Sequence, residues 1–422
     1  MNIQKTFILI IICLLLSATS AYSQDTLTWE ECALIAIDNN PDLVSAAEEV
    51  KQAMADKDIN LSPMLPQLDS EVTANRQKSS KGTTANTYSY GISGSQLVFD
   101  GFKTASDITG ALKTMQSKQY NYAVVSSNIR LGLRSAFVAL MRSQELISIT
   151  EDIAQRRKQN LDLVKLRYEG GREHRGALLT AEADMAQAEF EIAQAKRSVT
   201  LAQRELFKEL GLAKTSQAKA KGDFLISKNY SNKPDIDYLA QNTPFLQELM
   251  LRKEAARYNV NSKEADFFPK VYLNGSMGRT DDNWLPRDDE WSAGARITLP
   301  LFEGGKRISE VSKARSQLRQ AGADEQSGRD SVLVTLERSW KDLQDAITNV
   351  SVQKKFLEAA QERAKITRAQ YSTGLASFND WIIIEDNLVK AQKAYLNIQA
   401  DMLIAEAYWI QAIGGTLQYD EK

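Results

Sequence analysis

Residues 87–103 read TYSYGISGSQLVFDGFK, and residues 290–306 read EWSAGARITLPLFEGGK. Gly91, Phe99, Gly101 and Lys103 of the first stretch recur as Gly294, Phe302, Gly304 and Lys306 of the second, each 203 positions later (306 − 103 = 203). The same offset joins Pro41 to Pro244, Pro66 to Pro269, Arg76 to Arg279, Tyr168 to Tyr371, Gly171 to Gly374, Glu182 to Glu385 and Gly211 to Gly414. No insertion interrupts it. Prolines, glycines and aromatics of this kind set turns and caps. The chain is therefore a tandem duplication, and whatever fold it adopts is built twice.

Both quoted stretches alternate. Tyr88, Tyr90 and Ile92 lie opposite Ser89, Gly91, Ser93 and Ser95. Trp291, Ala293, Ala295, Ile297, Leu299 and Leu301 lie opposite Ser292, Gly294, Arg296 and Thr298. The preceding segments do the same. Leu68, Val72 and Ala74 oppose Gln67, Asp69, Glu71, Thr73 and Asn75, and Val271, Leu273 and Met277 oppose Lys270, Tyr272, Asn274 and Ser276. The connecting turns, Lys78 to Ala85 and Thr280 to Glu290, are hydrophilic. Segments of about ten residues with one apolar face suit a transmembrane barrel; a soluble hairpin packed on a helix has the same pattern. Tyr88, Tyr90, Trp284 and Trp291 suit an interfacial girdle and equally suit exposed hairpins.

The number of strands is more decisive. Four strands per chain cannot close a barrel whose smallest membrane form has about eight. An open edge in lipid leaves backbone groups unpaired. If these strands enter a bilayer, several chains share one barrel, and three chains supply twelve strands.

Outward from the strands, each half runs in one order. A helix opens it, from Trp29 to about Ser62 and from Asp235 to about Phe267, with Thr28 placed to cap the first. After the paired strands comes a proline-free helix, Lys103 to about Tyr168 and Lys306 to about Tyr371. A glycine-bearing turn then leads to a second helix that ends at Gly211 or Gly414. Leu336, Trp340, Leu343, Ile347 and Val350 step by 4, 3, 4 and 3, the rhythm of supercoiled helices. A helix of about 65 residues is roughly 100 Å long, more than a compact domain needs. The expected organisation is a signal peptide at 1–23, a first repeat at 24–212, a lysine-rich connector at 213–234, a second repeat at 235–414 and a tail at 415–422.

The signal-peptide reading rests on Lys5, the uncharged run Thr6 to Leu16, and the small residues Ala21 and Ser23 before a cleavage point. Ile11 and Ile12 precede Cys13 where a lipid-attachment site wants a small residue, so no lipoprotein is read. Cys32 is then alone, and no intrachain disulfide can form. No later stretch reaches about 18 apolar residues, so a membrane role needs strands. A net charge of −2 gives no bulk attraction to nucleic acid.

In this order the chain resembles the outer membrane efflux protein family of the TolC type. The resemblance is carried by Leu299-Pro300-Leu301-Phe302-Glu303-Gly304-Gly305-Lys306 and its copy Leu97-Val98-Phe99-Asp100-Gly101 as strand-to-helix junctions. Tyr371-Ser372-Thr373-Gly374-Leu375-Ala376-Ser377-Phe378-Asn379-Asp380 and Tyr168-Glu169-Gly170-Gly171 match its helical turns. The resemblance implies a mostly α fold with a small β portion: long antiparallel coiled-coil helices form an α-barrel beneath a trimeric twelve-stranded β-barrel. It implies an outer-membrane location in a Gram-negative bacterium, with the helices in the periplasm. The implied function is a passive gated duct of an efflux or type I secretion system. Its implied partners are two further copies of the chain, outer-membrane lipid, a periplasmic adaptor and an inner-membrane transporter.

By the same resemblance Gly170, Gly171, Gly374 and Leu375 are adaptor-contact tips, Phe99, Gly101, Phe302 and Gly304 mark the junctions, and Asp380 and Tyr371 belong to the entrance gate. Three copies of Asp380 about an axis would bind cations, although Ser377 and Asp380 also have capping-box spacing. The family's second acidic ring position falls on Ile383. Tyr371 matches a latch tyrosine, but its acidic and basic partner positions hold Ala177 and Ala376. Glu173, Arg172 and Arg175 are the available substitutes.

Enzyme chemistry has little to build on. His174 is the only histidine, and it reads as a solvated residue of the first tip turn. There is no Cys/His cluster for a metal, no phosphate-binding loop and no sign of a cofactor. A soluble periplasmic coiled-coil adaptor or scaffold is the competing reading; it accounts for the heptads but not for two copies of a paired alternating segment.

Overall fold

The computed structural model describes residues 26–78, 84–213, 217–226 and 228–418. The expected signal peptide, and residues 419–422 of the tail, lie outside the described residues. β1 (Thr26–Leu27) leads into α1 (Trp29–Asn39). The Thr28 hydroxyl accepts from the Glu31 N–H while the Glu31 carboxylate accepts from the Thr28 N–H at 2.8 Å, a reciprocal cap that fixes the start of α1. The first half continues through α2 (Pro41–Leu61), β2 (Gln67–Lys78), β3 (Thr84–Phe99), α3 (Lys103–Glu169) and α4 (Arg175–Glu209). After β4 (Lys219–Ala220) the order repeats as α5 (Ile236–Asn242), α6 (Pro244–Ala265), β5 (Lys270–Asp281), β6 (Asp288–Thr298), α7 (Lys306–Thr373) and α8 (Phe378–Ala412).

The opening helix of each half, expected as one run, is two helices. A residue before proline is pushed out of the helical region, and Asn40 and Thr243 are extended, with ψ of 120° and 137°. The joint is also where each half closes on itself. Gly211 and Gly414 take left-handed φ of +74° and +85° after α4 and α8. A Cβ at Gly211 would lie 2.2 Å from the Asn39 carbonyl oxygen, and one at Gly414 would lie 2.2 Å from Pro244 Cδ. Glycine is required there by conformation and by contact.

The long helices, 67 residues in α3 and 68 in α7, carry the core. Cys32 and Ala36 of α1 and Leu206 of α4 pack on Leu133, Phe137 and Leu140 of α3. Ile236 and Ala240 of α5 and Trp409 of α8 pack on Leu336, Trp340 and Leu343 of α7. Leu133 and Leu336, Phe137 and Trp340, Leu140 and Leu343, and Leu206 and Trp409 are all repeat mates, so the duplication extends to the packing. Ile347 and Val350 continue the α7 stripe half-buried. The connector is strapped to the bundle: β4 pairs in parallel with β1, and Phe224, Ile226 and Tyr230 pack on the core.

The four long strands form one antiparallel sheet in the order β2-β3-β5-β6, leaving β2 and β6 unpaired at its edges within the chain. The register aligns the faces of all four. Ser70, Ile92, Met277 and Trp291 form one row, and Glu71, Gly91, Gly278 and Glu290 form the next. The apolar face therefore gathers Leu68, Val72, Tyr90, Ile92, Leu273, Met277, Trp291 and Ile297, and the described residues leave it open: Trp291 is 81% exposed and Leu68 75%. The strands run further into the turns than the polar runs suggested. β6 stops at Thr298, so Leu299 and Leu301 fall outside it; Pro300 has no N–H for a ladder. Among the described residues no helix is long and apolar enough to cross a membrane.

Candidate functional site

The end of the bundle far from the sheet is made by two turns. α3 ends at Glu169, and Gly171 takes φ +68°. Gly170 is not left-handed, with φ −79°, so it does not need glycine's freedom there. His174 then caps α4: its Nδ1 accepts from the Ala177 N–H at 3.1 Å. The reading of His174 as a plain loop residue missed this, because histidine is not among the usual capping residues. In the second turn Gly374 takes φ +83°, and the Leu375 N–H donates to the Gln370 carbonyl at 2.8 Å. That bond closes the end of α7 and leaves the Leu375 side chain 81% exposed.

Tyr371 joins the two turns. It is fully buried, and its hydroxyl donates to Glu173 Oε2 at 2.8 Å. Its ring stacks on Trp381 with centroids 4.2 Å apart and meets Phe378 edge-on. Arg167 sits over the ring, its guanidinium carbon 4.6 Å from the centroid, and donates from Nη1 to the Tyr371 carbonyl at 2.7 Å. Burial first, and the bond to Glu173 second, push the Tyr371 phenol above its ordinary value, so it stays a donor. Ala177 and Ala376, at the family's partner positions, pack in the same cluster. Of the three substitutes read from sequence, Glu173 meets the tyrosine. The cation is Arg167, in the last turn of α3, where no local motif marked it.

Asp380 is exposed at the start of α8. Its N–H donates to Ser377 Oγ at 3.2 Å, and Ser377 Oγ donates to Asp380 Oδ2 at 2.7 Å. The capping role is thus built within one chain, and the second carboxylate oxygen makes no bond among the described residues. Higher in the bundle Arg157 of α3, buried, reaches Asp184 of α4 at 3.4 Å and Asp386 of α8. This bridge ties the two halves together, and sequence reading missed it because its members are far apart in the chain. Five buried polar atoms lack a hydrogen-bond partner among the described residues: both of the Asn160 amide, Arg167 Nε, Trp381 Nε1 and Gln392 Oε1. All lie on α3 and α8 in the tip-ward part of the bundle. Among the described residues no cluster of His, Cys, Asp or Glu is placed to hold a metal ion.

At the opposite end the junctions are built differently in the two halves. Asp100 Oδ2 accepts from the Thr104 N–H at 2.8 Å and so starts α3. Gly101 takes φ +70°, and a Cβ there would lie 2.5 Å from Phe268 Cβ. Phe99 meets Phe102 edge-on at 5.8 Å. In the second half Gly304 takes φ +60° with nothing close to it, and Phe302 is 87% exposed.

A family model described as outer membrane efflux protein matches residues 35–212 and 236–415, the two halves in turn. Outer membrane efflux protein BepC of Brucella suis is 21% identical over 381 residues, covering 89% of this chain and 83% of that protein. Pyoverdine export outer membrane protein OpmQ of Pseudomonas aeruginosa is 23% identical over 416 residues, covering 91% and 84%. The crystal structure of the Campylobacter jejuni CmeC outer membrane channel superposes with a TM-score of 0.83 at 16% identity, over 96% of this chain and 92% of that one.

Proposed function

The chain belongs to the outer membrane efflux protein family, and on that premise we propose that three copies assemble into one continuous duct whose tip is held shut by the Tyr371 cluster. It is an outer-membrane efflux channel subunit, with its helices in the periplasm, and not a soluble scaffold. The observation that carries the assembly is the sheet: four strands, two open edges and an uncovered apolar face. Three such sheets joined β6 to β2 make a closed twelve-stranded barrel with every edge paired and the apolar face on lipid. The helices continue the cylinder below.

Transport in this reading is passive and involves no catalytic step or cofactor. The exposed Leu375 and the turns at Gly170, Gly171 and Gly374 face a periplasmic adaptor, which couples the duct to an inner-membrane transporter. Asp380, exposed beside the second turn, supplies one carboxylate per chain to an acidic ring at the entrance. Opening separates the turns that Tyr371, Glu173 and Arg167 now join.

Two experiments test the reading. The mature protein extracted from outer membranes should run as a trimer that heating dissociates; quantitative release by osmotic shock, as a monomer, defeats it. Asp380→Ala should raise conductance or weaken cation block in planar bilayers, and unchanged currents with unchanged block remove Asp380 from the gate.

A further inference from the structure

At the end far from the helices both faces of the sheet carry charged residues. Glu290 lies on the polar face at that end, while Asp69, Glu71 and Arg296 lie on the same face nearer the helices. Arg76 and Lys78 of β2 lie on the other. The β2–β3 register runs without a shift, so positions 68, 72, 76 and 78 share the face of Leu68, Val72 and Tyr90. The same face carries Arg279, matched by Asp289, and Asp281, held by the N–H groups of the turn that follows it. Arg76 and Lys78 are exposed and make no hydrogen bond or ion pair among the described residues. Within one chain, two cations with no partner among the described residues thus stand beyond a mostly apolar stretch of that face.

Their height is informative. The apolar span of β3 runs from Tyr88 to Phe99. Eleven steps at about 3.4 Å give roughly 37 Å of strand, or about 28 Å along the membrane normal at a tilt near 40°. That is close to the thickness of a hydrocarbon core. Tyr88 pairs with Ala74, so Arg76 and Lys78 lie one and two rows beyond the core boundary, at headgroup depth. Charge complementarity there selects an anion that is part of the membrane, and guanidinium suits phosphate in particular.

We propose that Arg76 and Lys78 bind phosphate-bearing headgroups of anionic lipid in the outer leaflet, giving each chain a lipid contact on the outside of the barrel. This rests on the duct reading, in which that face meets lipid and the hairpin ends point outward.

The test is lipid retention by the purified trimer in neutral detergent, with phosphatidylglycerol or phosphatidylcholine added and bound lipid counted by native mass spectrometry. Wild type should prefer phosphatidylglycerol. The preference should fall by about 5-fold per cation removed in R76Q and in R76Q/K78Q. It should survive in R76K/K78R, and in R296Q, which removes a cation from the polar face. Excess inorganic phosphate should not displace the lipid. Undiminished preference in the double variant, equal loss in R296Q, or displacement by free phosphate would each overturn the proposal. All these variants should still form a heat-dissociable trimer, so failure of the lipid site is told apart from failure of the duct.

Discussion

The Tyr371 hydroxyl and the Glu173 carboxylate meet at 2.8 Å across the two tip turns, one from each half of the duplication. Tyr371 is fully buried and Glu173 partly so, which limits the water that can compete for the bond. Tyr371→Phe deletes the donor and keeps the stacking on Trp381. Glu173→Ala deletes the acceptor. Both should raise single-channel conductance in planar bilayers by a similar factor, and the double variant should add little to either. Wild-type currents in both single variants would show that the bond does not hold the tip.

Gly91 and Gly278 face each other across β3 and β5 on the polar face of the sheet. A Cβ at Gly91 would lie 2.9 Å from the Met277 carbonyl oxygen, and one at Gly278 would lie 2.6 Å from that of Tyr90. Backbone cannot step aside as a side chain can. Gly91→Ala or Gly278→Ala should cost about 1–3 kcal/mol and lower the temperature at which the trimer dissociates in detergent. Gly294→Ala, with nothing within 4 Å of the added carbon, should leave that temperature unchanged.

Cys32 packs among Ala36, Leu133 and Leu210 with no exposed surface. Burial, and then the charges of Glu31 and Glu30, push its thiol up to about 12. At pH 8 the thiolate that alkylating reagents attack is scarce as well as hidden. The native protein should therefore resist maleimide and react fully once denatured. Rapid labelling under native conditions would mean that α1 lifts off α3.

Much of the fold was legible because duplication turns a weak local pattern into a paired one. The alternation around Tyr90 alone fits a soluble hairpin; the same alternation 203 residues later, beside matching glycines, does not arise by accident. The break at Pro41 and Pro244 was not read: each opening helix was expected as one run, although a proline inside a helical pattern pushes the residue before it out of the helix. The tip was read in part. Gly374 and Ser377 announce their geometry locally, and Glu173 was within reach because it lies in the turn that faces Tyr371. Arg167 and Arg157 were not legible. Each acts across helices whose relative rotation no local spacing specifies, and both resemble ordinary charged residues on a solvated helix face.

Arg157 holds two carboxylates, and they are unequal partners. Asp386 meets it closely and is nearly half exposed, whereas Asp184 stands 3.4 Å away and is more covered. Desolvation raises the Asp184 carboxyl above its ordinary value; the attraction of Arg157 opposes this, and Asp386 adds to it. The folded state therefore holds the Asp184 proton more tightly than the unfolded state does. Stability is reduced by this group at neutral pH, and the penalty fades as pH falls through the raised folded value toward the ordinary aspartate range near about 4. Asp184→Asn should accordingly melt at the same or a higher temperature than wild type at pH 7, with the difference closing on acidification. Arg157→Met should do the opposite. It strands both carboxylates at the seam of α3, α4 and α8 and should cost about 1–3 kcal/mol at pH 7, with the loss shrinking at low pH as the carboxylates take up protons. A destabilised Asp184→Asn at pH 7 would mean that Arg157 depends on Asp184 as much as on Asp386.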